Sequence, residues 1–349
     1  MSAAGSLQVH AAGLCCALGY HLDAALWGLR ANLDHFEESG FESAAGDPIN
    51  VARLPDDLFG RARMARWSEY AVRDCAARMD HPESLLDAAR THVLVLGPDR
   101  ERPHASEAAA RDMVLALLAG LGAAPDQHWH IGVLLEGRTG LGTALLEAAR
   151  MLALGECSQV LVLGVDSYLN AADIGSLLHE GRLFVPGNRN GFIPGEAASA
   201  VLLRPAPLSA PGLHVRGVGV DHEAGRHDGS VPSRGQGLSR AIRAACEMAS
   251  LTPAALQFRA SDHNGEQFFA NEASNAVTRV MFGSGADLAH LTLADKLGEV
   301  GAAAGVAMLA WLWADMGQRE WSPGACGMLH LASEGGARCA VVLHHVQEQ

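Results

Sequence analysis

The sequence predicts an α/β fold that consists of two similar halves. Short apolar runs, bounded by glycine, proline or polar residues, alternate along the chain with longer segments of helical spacing. Such runs are typical of strands that are buried on both faces of a sheet. The proline-rich segment RPAPLSAPG at 204–212 separates a first series of these elements from a second series of the same order. We therefore expect one half at 1–205 and the other at 206–349.

In the first half, the apolar runs predict four strands with helices between them. Ser106 is placed to cap the helix that begins at Glu107, and Gly155 is suited to end the helix before it. Residues 38–65 are interpreted as irregular and 171–190 as a long loop. The strands are expected at 7–19 (with its turn), 93–96, 160–163 and 191–203, and the helices at 22–31, 65–79, 107–121 and 142–154.

The second half repeats this alternation. Because strands alternate with helices in both halves, the pattern favours an α/β fold with buried sheets. The strands are expected at 214–220, 258–261 and 339–344, the helices at 238–249, 272–281 and 302–316, a polar loop at 221–236 and a turn at 295–301.

The composition is that of a globular chain with an acidic surface. Of its 349 residues, 49% are hydrophobic and 19% charged, which provides enough apolar material for a large core. The net charge of −13 argues against nucleic acid or an anionic membrane as a partner. The longest apolar helical stretch, 300–313, is shorter than the ~20 residues that a membrane span needs. No basic segment precedes an apolar run at the start of the chain, so we expect no signal peptide.

The cysteines and histidines do not form a recognisable metal motif. The seven cysteines are scattered and odd in number, which indicates reduced thiols of a cytoplasmic protein. His128 and His130 could be two ligands on one strand face, but a third ligand at a clear spacing is missing. The polar segment with His222, His227 and Asp228 is more typical of a solvated loop. We therefore expect neither a metal nor a cofactor.

A glycine-rich turn at 136–140 precedes the helix predicted at 142–154. A helix N-terminus on a tight turn presents unpaired N–H groups and the positive end of the helix dipole, which suits a nucleophile or an anion. The segment EGRTGLG lacks the Gly-Lys-Ser/Thr ending of a phosphate loop. The residue in the middle of the turn is Arg138.

Six segments, taken in order along the chain, carry a resemblance to one protein family: 13–36, 148–166, 190–197, 251–265, 295–306 and 334–336. The family that they resemble is that of the β-ketoacyl synthases of the thiolase-like superfamily. In the same order, they are similar to the family's opening strand–turn–helix, the helix and strand after its catalytic cysteine, its R-D-G-F-x-x-G-E-G-A turn, the run into its H-G-T-G-T motif, its K-x-x-x-G-H-x-x-x-A-A-G segment and its G-F-G-G turn. The resemblance implies a five-layer αβαβα fold, a dimer, and a central cysteine with two histidines.

Two of these three central residues are replaced. The family spacing back from Gly155 places Arg138 at the cysteine, and a guanidinium cannot form a thioester. His263 corresponds to the first histidine, although Glu266 and Gln267 replace the threonine and glycine that follow it in the family. Glu299 corresponds to the second histidine.

The opposite charges of the two replacements predict a buried ion pair. We expect Arg138 and Glu299 to lie within ~4 Å of each other, with His263 completing the network. A buried arginine without a partner would be costly, so the two replacements make sense together. The alternatives are that Arg138 and Glu299 are separately exposed to solvent, and that His263 is only a hydrogen-bonded residue of a turn.

The resemblance implies an acyltransferase-like protein that does not carry out condensation. The favoured hypothesis is a scaffold or partner subunit that associates with an acyl carrier protein or an intact ketosynthase, as a homo- or heterodimer. A second hypothesis is residual acyl-transfer, decarboxylase or hydrolase activity that uses His263 with Glu299 or Glu136 as general base. A third is a carrier-protein or acyl-chain binder, and a fourth is an accessory protein of a secretion effector.

Overall fold

The computed structural model describes residues 6–284 and 288–347. Within these residues the chain forms twelve strands and nine helices. The strands are β1 Ser6–Cys16, β2 Phe36–Glu42, β3 Pro48–Ala52, β4 Thr91–Leu96, β5 Ile131–Leu134, β6 Gln159–Ser167, β7 Glu196–Ala206, β8 Gly212–His222, β9 Phe258–Ser261, β10 Ala289–Thr292, β11 Cys326–Ala332 and β12 Ala337–Val346. The helices are α1 Leu22–Arg30, α2 Gly60–Ala76, α3 Glu107–Gly120, α4 Gly140–Ala153, α5 Ala171–His179, α6 Gln236–Met248, α7 Gln267–Val280, α8 Ala294–Leu297 and α9 Ala303–Asp315.

Ten strands form a sheet of two equivalent parts, in the orders β5-β4-β6-β7-β1 and β10-β9-β11-β12-β8. Counted in chain order within each part, the first strand (β1 or β8) pairs antiparallel with the fifth (β7 or β12), and the fifth pairs antiparallel with the fourth (β6 or β11). The fourth strand pairs parallel with the second, and the second pairs parallel with the third. The two parts meet where Leu7–Val9 of β1 pairs with Leu213–Val215 of β8. The repeated topology confirms two similar halves, while the boundary at 205/206 stays a prediction.

The helices form three layers around these strands. Helices α2 and α3 pack on the outer face of the first half, and α6 with α7 covers the outer face of the second half. Between the halves lie α4 and α9, each of which contacts strands of both halves. Helix α9 is apolar around almost its whole circumference because both of its sides are buried. The chain therefore has the five-layer αβαβα arrangement.

Two segments that were predicted to be irregular contain regular structure. The loop expected at 171–190 begins with α5, because the Asn170 side chain accepts the Asp173 N–H at 2.9 Å and caps a helix there. The segment 38–65, expected to be irregular, contains the hairpin of β2 and β3 and the start of α2. The hairpin strands carry many polar residues and α5 has only nine residues, so periodicity did not identify them.

None of the described helices is long and apolar enough to cross a membrane.

Candidate functional site

Arg138 lies in a 3₁₀ turn, Gly137–Thr139, that leads directly into α4. Gly137 has φ of 56°, a left-handed conformation that glycine adopts without strain. The turn directs the Arg138 side chain into the space between the two halves, where only 2% of it is exposed. The alternative of a solvated loop arginine is therefore excluded.

The guanidinium of Arg138 contacts three carboxylates, all from the second half. Nη1 donates to Glu299 Oε2 at 3.2 Å, and Nη2 donates to Glu334 Oε1 at 3.1 Å. Nε lies 3.5 Å from Asp262 Oδ2. One face of the guanidinium lies against Phe269, with 4.7 Å between its carbon and the ring centroid. The ion pair between Arg138 and Glu299 that the sequence predicts is present in the structure.

A second buried arginine extends this network. Arg182 donates through Nε and Nη2 to the two oxygens of Glu266, at 2.8 and 2.9 Å, in a bidentate pair. Its Nη2 also donates to Glu334 Oε1 at 2.8 Å. Glu334 thus bridges the two arginines. The sequence analysis did not identify Arg182, because it falls in the segment interpreted as a loop.

The Glu299 carboxylate accepts three hydrogen bonds. Its Oε2 accepts Asn264 Nδ2 at 2.7 Å in addition to Arg138, and its Oε1 accepts the Gly301 N–H at 2.8 Å. Backbone hydrogen bonds to Ile193 and Gly195 fix its position. We call the connected set the Arg138 network; it consists of Arg138, Arg182, Asp262, Asn264, Glu266, Glu299 and Glu334.

The network contains four carboxyl groups for two guanidinium groups, and the pKa values reflect this imbalance. Burial raises the pKa of Glu299 to about 7, against the pull of Arg138, and the neighbouring Asp262 and Glu334 act in the same direction as burial. Burial also raises the pKa of Asp262. Burial opposes ionisation of Glu334 as well, but Arg138 and Arg182 hold its pKa well below the usual range. Burial and the mutual repulsion of the carboxylates therefore oppose full ionisation of the network near neutral pH.

His263 lies outside the Arg138 network. Its neighbours Asp262 and Asn264 point into the network, whereas its own ring lies 6.0 Å from that of His290. Burial and then Arg259 lower the pKa of His263. Among the hydrogen bonds and ion pairs of the described residues, none joins the His263 side chain to Arg138 or Glu299. Asn264 makes the contact that was expected of His263, whose catalytic role stays a prediction.

Burial opposes ionisation of the seven cysteines, all of which lie within the described residues. All are free and buried, and burial raises the pKa of every one of them. Cys339 packs against α4 at Gly142, and its pKa is raised to about 12. Cys157 lies beyond the far end of α4. Burial thus disfavours the thiolate, the nucleophilic form, of each cysteine.

A polar cavity of about 210 Å³ opens beside Arg138. Most of its wall is charged, and the groups around its inner end are already paired. Glu299 and His263 are not among its lining residues. The other candidate base, Glu136, accepts the Thr143 hydroxyl at 2.6 Å. The charged lining residues include Asp99, Arg102, Arg138, Arg182 and Glu334.

An apolar groove of about 560 Å³ lies on the other side of Arg102, between α2, α3 and the end of β6. Arg102 Nη1 donates to both oxygens of Asp166, at 2.8 and 2.7 Å, and Nη2 donates to Asp173 at 2.7 Å. Arg102 also stacks on Tyr168, with 3.9 Å between the guanidinium carbon and the ring centroid. Since the groove and the polar cavity share Arg102, Asp166 and Asp173, these ion pairs separate the two spaces.

The histidines considered as metal ligands have other surroundings. His130 stacks on His92 with 4.2 Å between ring centroids, and His227 lines the polar cavity. Asp228 accepts the hydroxyl and the N–H of Ser230. In the described part of the chain, no group of three His, Cys, Asp or Glu side chains is arranged to hold a metal ion.

The architecture has clear counterparts among solved structures, although no family model and no curated protein matches the sequence. A type II PKS acyl-carrier protein in complex with its ketosynthase matches with a TM-score of 0.77 and 14% identity, over 98% of this chain and 100% of that chain. A β-ketoacyl synthase from Burkholderia phymatum STM815 matches with a TM-score of 0.75 and 15% identity, again over 98% of this chain and 100% of that chain. A ketosynthase in complex with its chain length factor from Xenorhabdus doucetiae matches with 0.69 and 14%, over 98% of both chains. The chain thus has the thiolase-like fold of the ketosynthases.

Proposed function

We propose that this protein is a non-condensing relative of the ketosynthases that serves as a partner subunit or scaffold in a protein complex. The observation that carries the proposal is the position of Arg138. It occupies the turn before α4, where the resemblance places the nucleophile, and it is fixed there by Asp262, Glu299 and Glu334.

Condensation requires groups that this site does not offer. A covalent acyl intermediate needs a nucleophile, and a guanidinium is always protonated in proteins and cannot provide one. At the position of the second histidine, Glu299 is engaged with Arg138, Asn264 and Gly301 and is not free to bind a substrate carbonyl. The charged groups therefore stabilise the fold in the place where the family has its chemistry.

The solved structures with this fold support a partner role. Two of them are described as complexes, one of a ketosynthase with an acyl-carrier protein and one of a ketosynthase with a chain length factor. We infer for this chain a partner of the same kind, either a carrier protein or a ketosynthase subunit with intact catalytic residues. Homo- and heterodimeric assembly are both compatible with this proposal.

Mass spectrometry tests the absence of acyl transfer. The purified chain is incubated with malonyl- and acyl-carrier thioesters, and its intact mass is compared with that of an active ketosynthase treated in parallel. We expect an acyl adduct on the ketosynthase and an unchanged mass for this chain. An adduct on any cysteine would overturn the proposal.

The competing enzyme hypothesis has its own test. A decarboxylase would release carbon dioxide from malonyl carrier, and His263→Ala would abolish the release, whereas the matched variant His290→Ala would not. We expect no release above background from any of the three proteins. Release that depends on His263 would favour the enzyme over the scaffold.

Purification of the tagged protein from its own host tests the partner. We expect a stoichiometric second chain that carries an intact cysteine and two histidines, or a carrier protein, in a complex of defined mass by light scattering. A homodimer that binds neither would restrict the proposal to a scaffold for other proteins.

A second candidate function, binding of an acyl chain, is supported by the apolar groove. Its volume of about 560 Å³ is in the range of small-ligand sites, and Met64, Met113, Val165 and Leu169 line it. Saturable binding of a fluorescent fatty acid would support this function if Met113→Arg abolished it. The exposed Met248 provides the control, since Met248→Arg is expected to have no effect.

A further inference from the structure

Four basic side chains gather on one face of three parallel strands in the second half. In the register of these strands, Arg259 of β9 pairs with His290 of β10, and His330 of β11 pairs with Ser261 of β9. Residues paired across a sheet share a face, as do residues two apart along a strand. All of these side chains therefore lie on one face, opposite Phe258 and Ala260. We call Arg259, His263, His290 and His330 the Arg259 cluster.

Direct contacts hold the cluster together. Arg259 Nη1 donates to His330 Nε2 at 3.2 Å, and Ser261 Oγ lies 2.7 Å from His290 Nε2. Ser261 Oγ also accepts the backbone N–H of His263. The His263 ring is 6.0 Å from the His290 ring, and its Nδ1 is buried without a hydrogen-bond partner.

Among the described residues, no carboxylate forms an ion pair with a member of this cluster. In the described part of the chain Arg259 forms no ion pair, and its single hydrogen bond leaves Nε and Nη2 free. The carboxylate that raises the pKa of His263 is that of Asp295. This side chain is largely exposed, and it is paired with Lys296 at 3.0 Å and with the Thr292 hydroxyl. An uncompensated basic cluster is unusual in a chain with a net charge of −13.

We propose that the Arg259 cluster is a binding site for an oxyanion of the phosphate type. Arg259 is half-buried and His290 is exposed, so an anion can reach both from solvent. The free guanidinium nitrogens of Arg259 match two oxygens of a tetrahedral anion, and the imidazoles of His290 and His263 can donate to the others. The site is separate from the Arg138 network and does not depend on the proposed function.

Binding of the anion is coupled to protonation of the histidines. In the free protein burial is the main cause that lowers the pKa of His263, His290 and His330, and Arg259 lowers each of them further. Asp295 alone acts in the opposite direction, and only on His263. A bound anion favours the imidazolium form, so affinity increases as the pH falls, and protons are taken up on binding.

Calorimetry with inorganic phosphate tests the site in the full-length chain. We expect saturable binding of one phosphate. With sulfate, whose charge is the same at about pH 6 and about pH 8, we expect tighter binding at the lower pH, with proton uptake detected from buffers of different ionisation enthalpy. Arg259→Gln should weaken binding at least about tenfold, the effect of one charge-assisted hydrogen bond. A parallel titration with phosphoethanolamine distinguishes a free phosphate, if it binds more weakly, from a phosphate monoester, if it binds more tightly.

Arg216→Gln is the matched control. Arg216 is also a half-buried arginine near a histidine, His344, in the same half, but it donates to the carbonyl of Ala249 and should leave phosphate binding unchanged. If Arg259→Gln does not fold, His290→Gln on the exposed edge strand replaces it and is expected to weaken binding in the same direction. An absence of saturable binding at both pH values, or equal weakening in Arg259→Gln and Arg216→Gln, would overturn the proposal.

Discussion

Arg138 is a fully buried cation whose charge is balanced from three separate segments of the second half. Asp262 follows β9, Glu299 precedes α9, and Glu334 lies in the turn between β11 and β12. Each carboxylate alone would leave part of the guanidinium unpaired, and desolvation of a charge is compensated only when its hydrogen-bonding groups are engaged. The burial of an arginine at this position thus requires several compensating residues.

Removal of the Arg138 charge should therefore be strongly destabilising. Arg138→Met leaves Asp262 and Glu299 without a cation, and we expect a loss of about 3–5 kcal/mol in unfolding free energy at pH 8. The loss should be smaller at pH 5, because buried carboxyl groups can then be protonated. Urea denaturation at both pH values measures it.

The control for this variant is Arg100→Met. Arg100 pairs with Glu107 at 2.6 Å, but both side chains are more than half exposed, so a change of less than about 1 kcal/mol is expected. Similar losses in the two variants would show that the Arg138 network contributes no more than a surface ion pair.

Glu299 should make the protein less stable as the pH rises through neutrality. Burial raises its pKa from 4.5 to about 7 in the folded chain, so the folded state binds the proton more tightly than the unfolded state. The stability from this group is complete below about pH 4.5 and is lost as the pH rises through about 7. The unfolding free energy of the wild type should therefore decrease relative to that of Glu299→Gln between about pH 5 and about pH 8.

Glu334→Gln should show the opposite behaviour. Although burial opposes ionisation, Arg138 and Arg182 lower the pKa of Glu334, so its contribution is present above the ordinary value of 4.5 and is lost as the pH falls below it. The wild type should exceed Glu334→Gln in unfolding free energy by a constant amount from about pH 5 to about pH 8. This difference should decline in more acidic solution. Identical pH profiles for the two variants, measured by denaturation, would contradict the assignment.

The sequence predicted only part of this network. Arg138 and Glu299 were identified because family motifs placed both at catalytic positions, and their opposite charges indicated a pair. Arg182 and Glu266 were not predicted as partners, since 84 residues separate them and local patterns carry no information on such contacts. His263 was expected in the network, but the side chains before and after it enter the site instead. The choice among adjacent residues depends on how the strand ends, which periodicity does not specify.

At the scale of elements, the long periodic segments were predicted, whereas several of the short ones were not. Helix α4 and strand β6 were recognised from a helical apolar stripe and a continuous apolar run. Strands β5 and β10 have only four residues each, too few to show a period. Strand β11 was also missed; its seven residues are all buried, but His330 interrupts the apolar run.

The close packing of α4 against the second half predicts a contrast between two glycines. A Cβ added to Gly142 would lie 2.6 Å from Cys339 Sγ and 2.8 Å from Val220 Cγ1, so either these side chains or the helix must move. A Cβ added to Gly175 in α5 would meet no atom within 4 Å. Alanine favours the helix over glycine by about 1 kcal/mol at both positions. The difference in unfolding free energy between the two variants therefore reports the cost of packing at Gly142.

We expect Gly142→Ala to lower the unfolding free energy by about 1–3 kcal/mol and Gly175→Ala to leave it unchanged or to raise it slightly. Thermal and urea denaturation of the two variants, side by side, measure the contrast. A Gly142→Ala variant as stable as Gly175→Ala would show that α4 can shift away from β12.

At the scale of the whole molecule, each of the two central helices packs against strands of both halves. Helix α4 belongs to the first half by sequence but also packs on β8 and β12, and α9 belongs to the second half but packs mainly on β1, β6 and β7. One continuous apolar core contains residues of both helices and of strands from both halves. Ion pairs from Arg138 and Arg182 to the second half add polar contacts across the same interface. Neither half can bury its central helix alone.

The two halves should therefore unfold together, although each has the complete topology of a five-stranded sheet. We expect tryptophan fluorescence and far-ultraviolet circular dichroism to report coincident urea transitions, because loss of either half exposes the apolar face of a central helix of the other. Arg138→Met should lower the urea midpoint of both transitions by the same amount, since the residue lies on the shared interface. Two separated transitions, or a shift confined to one probe, would show instead that the halves are independent units and that the contacts of α4 and α9 across the interface contribute little free energy.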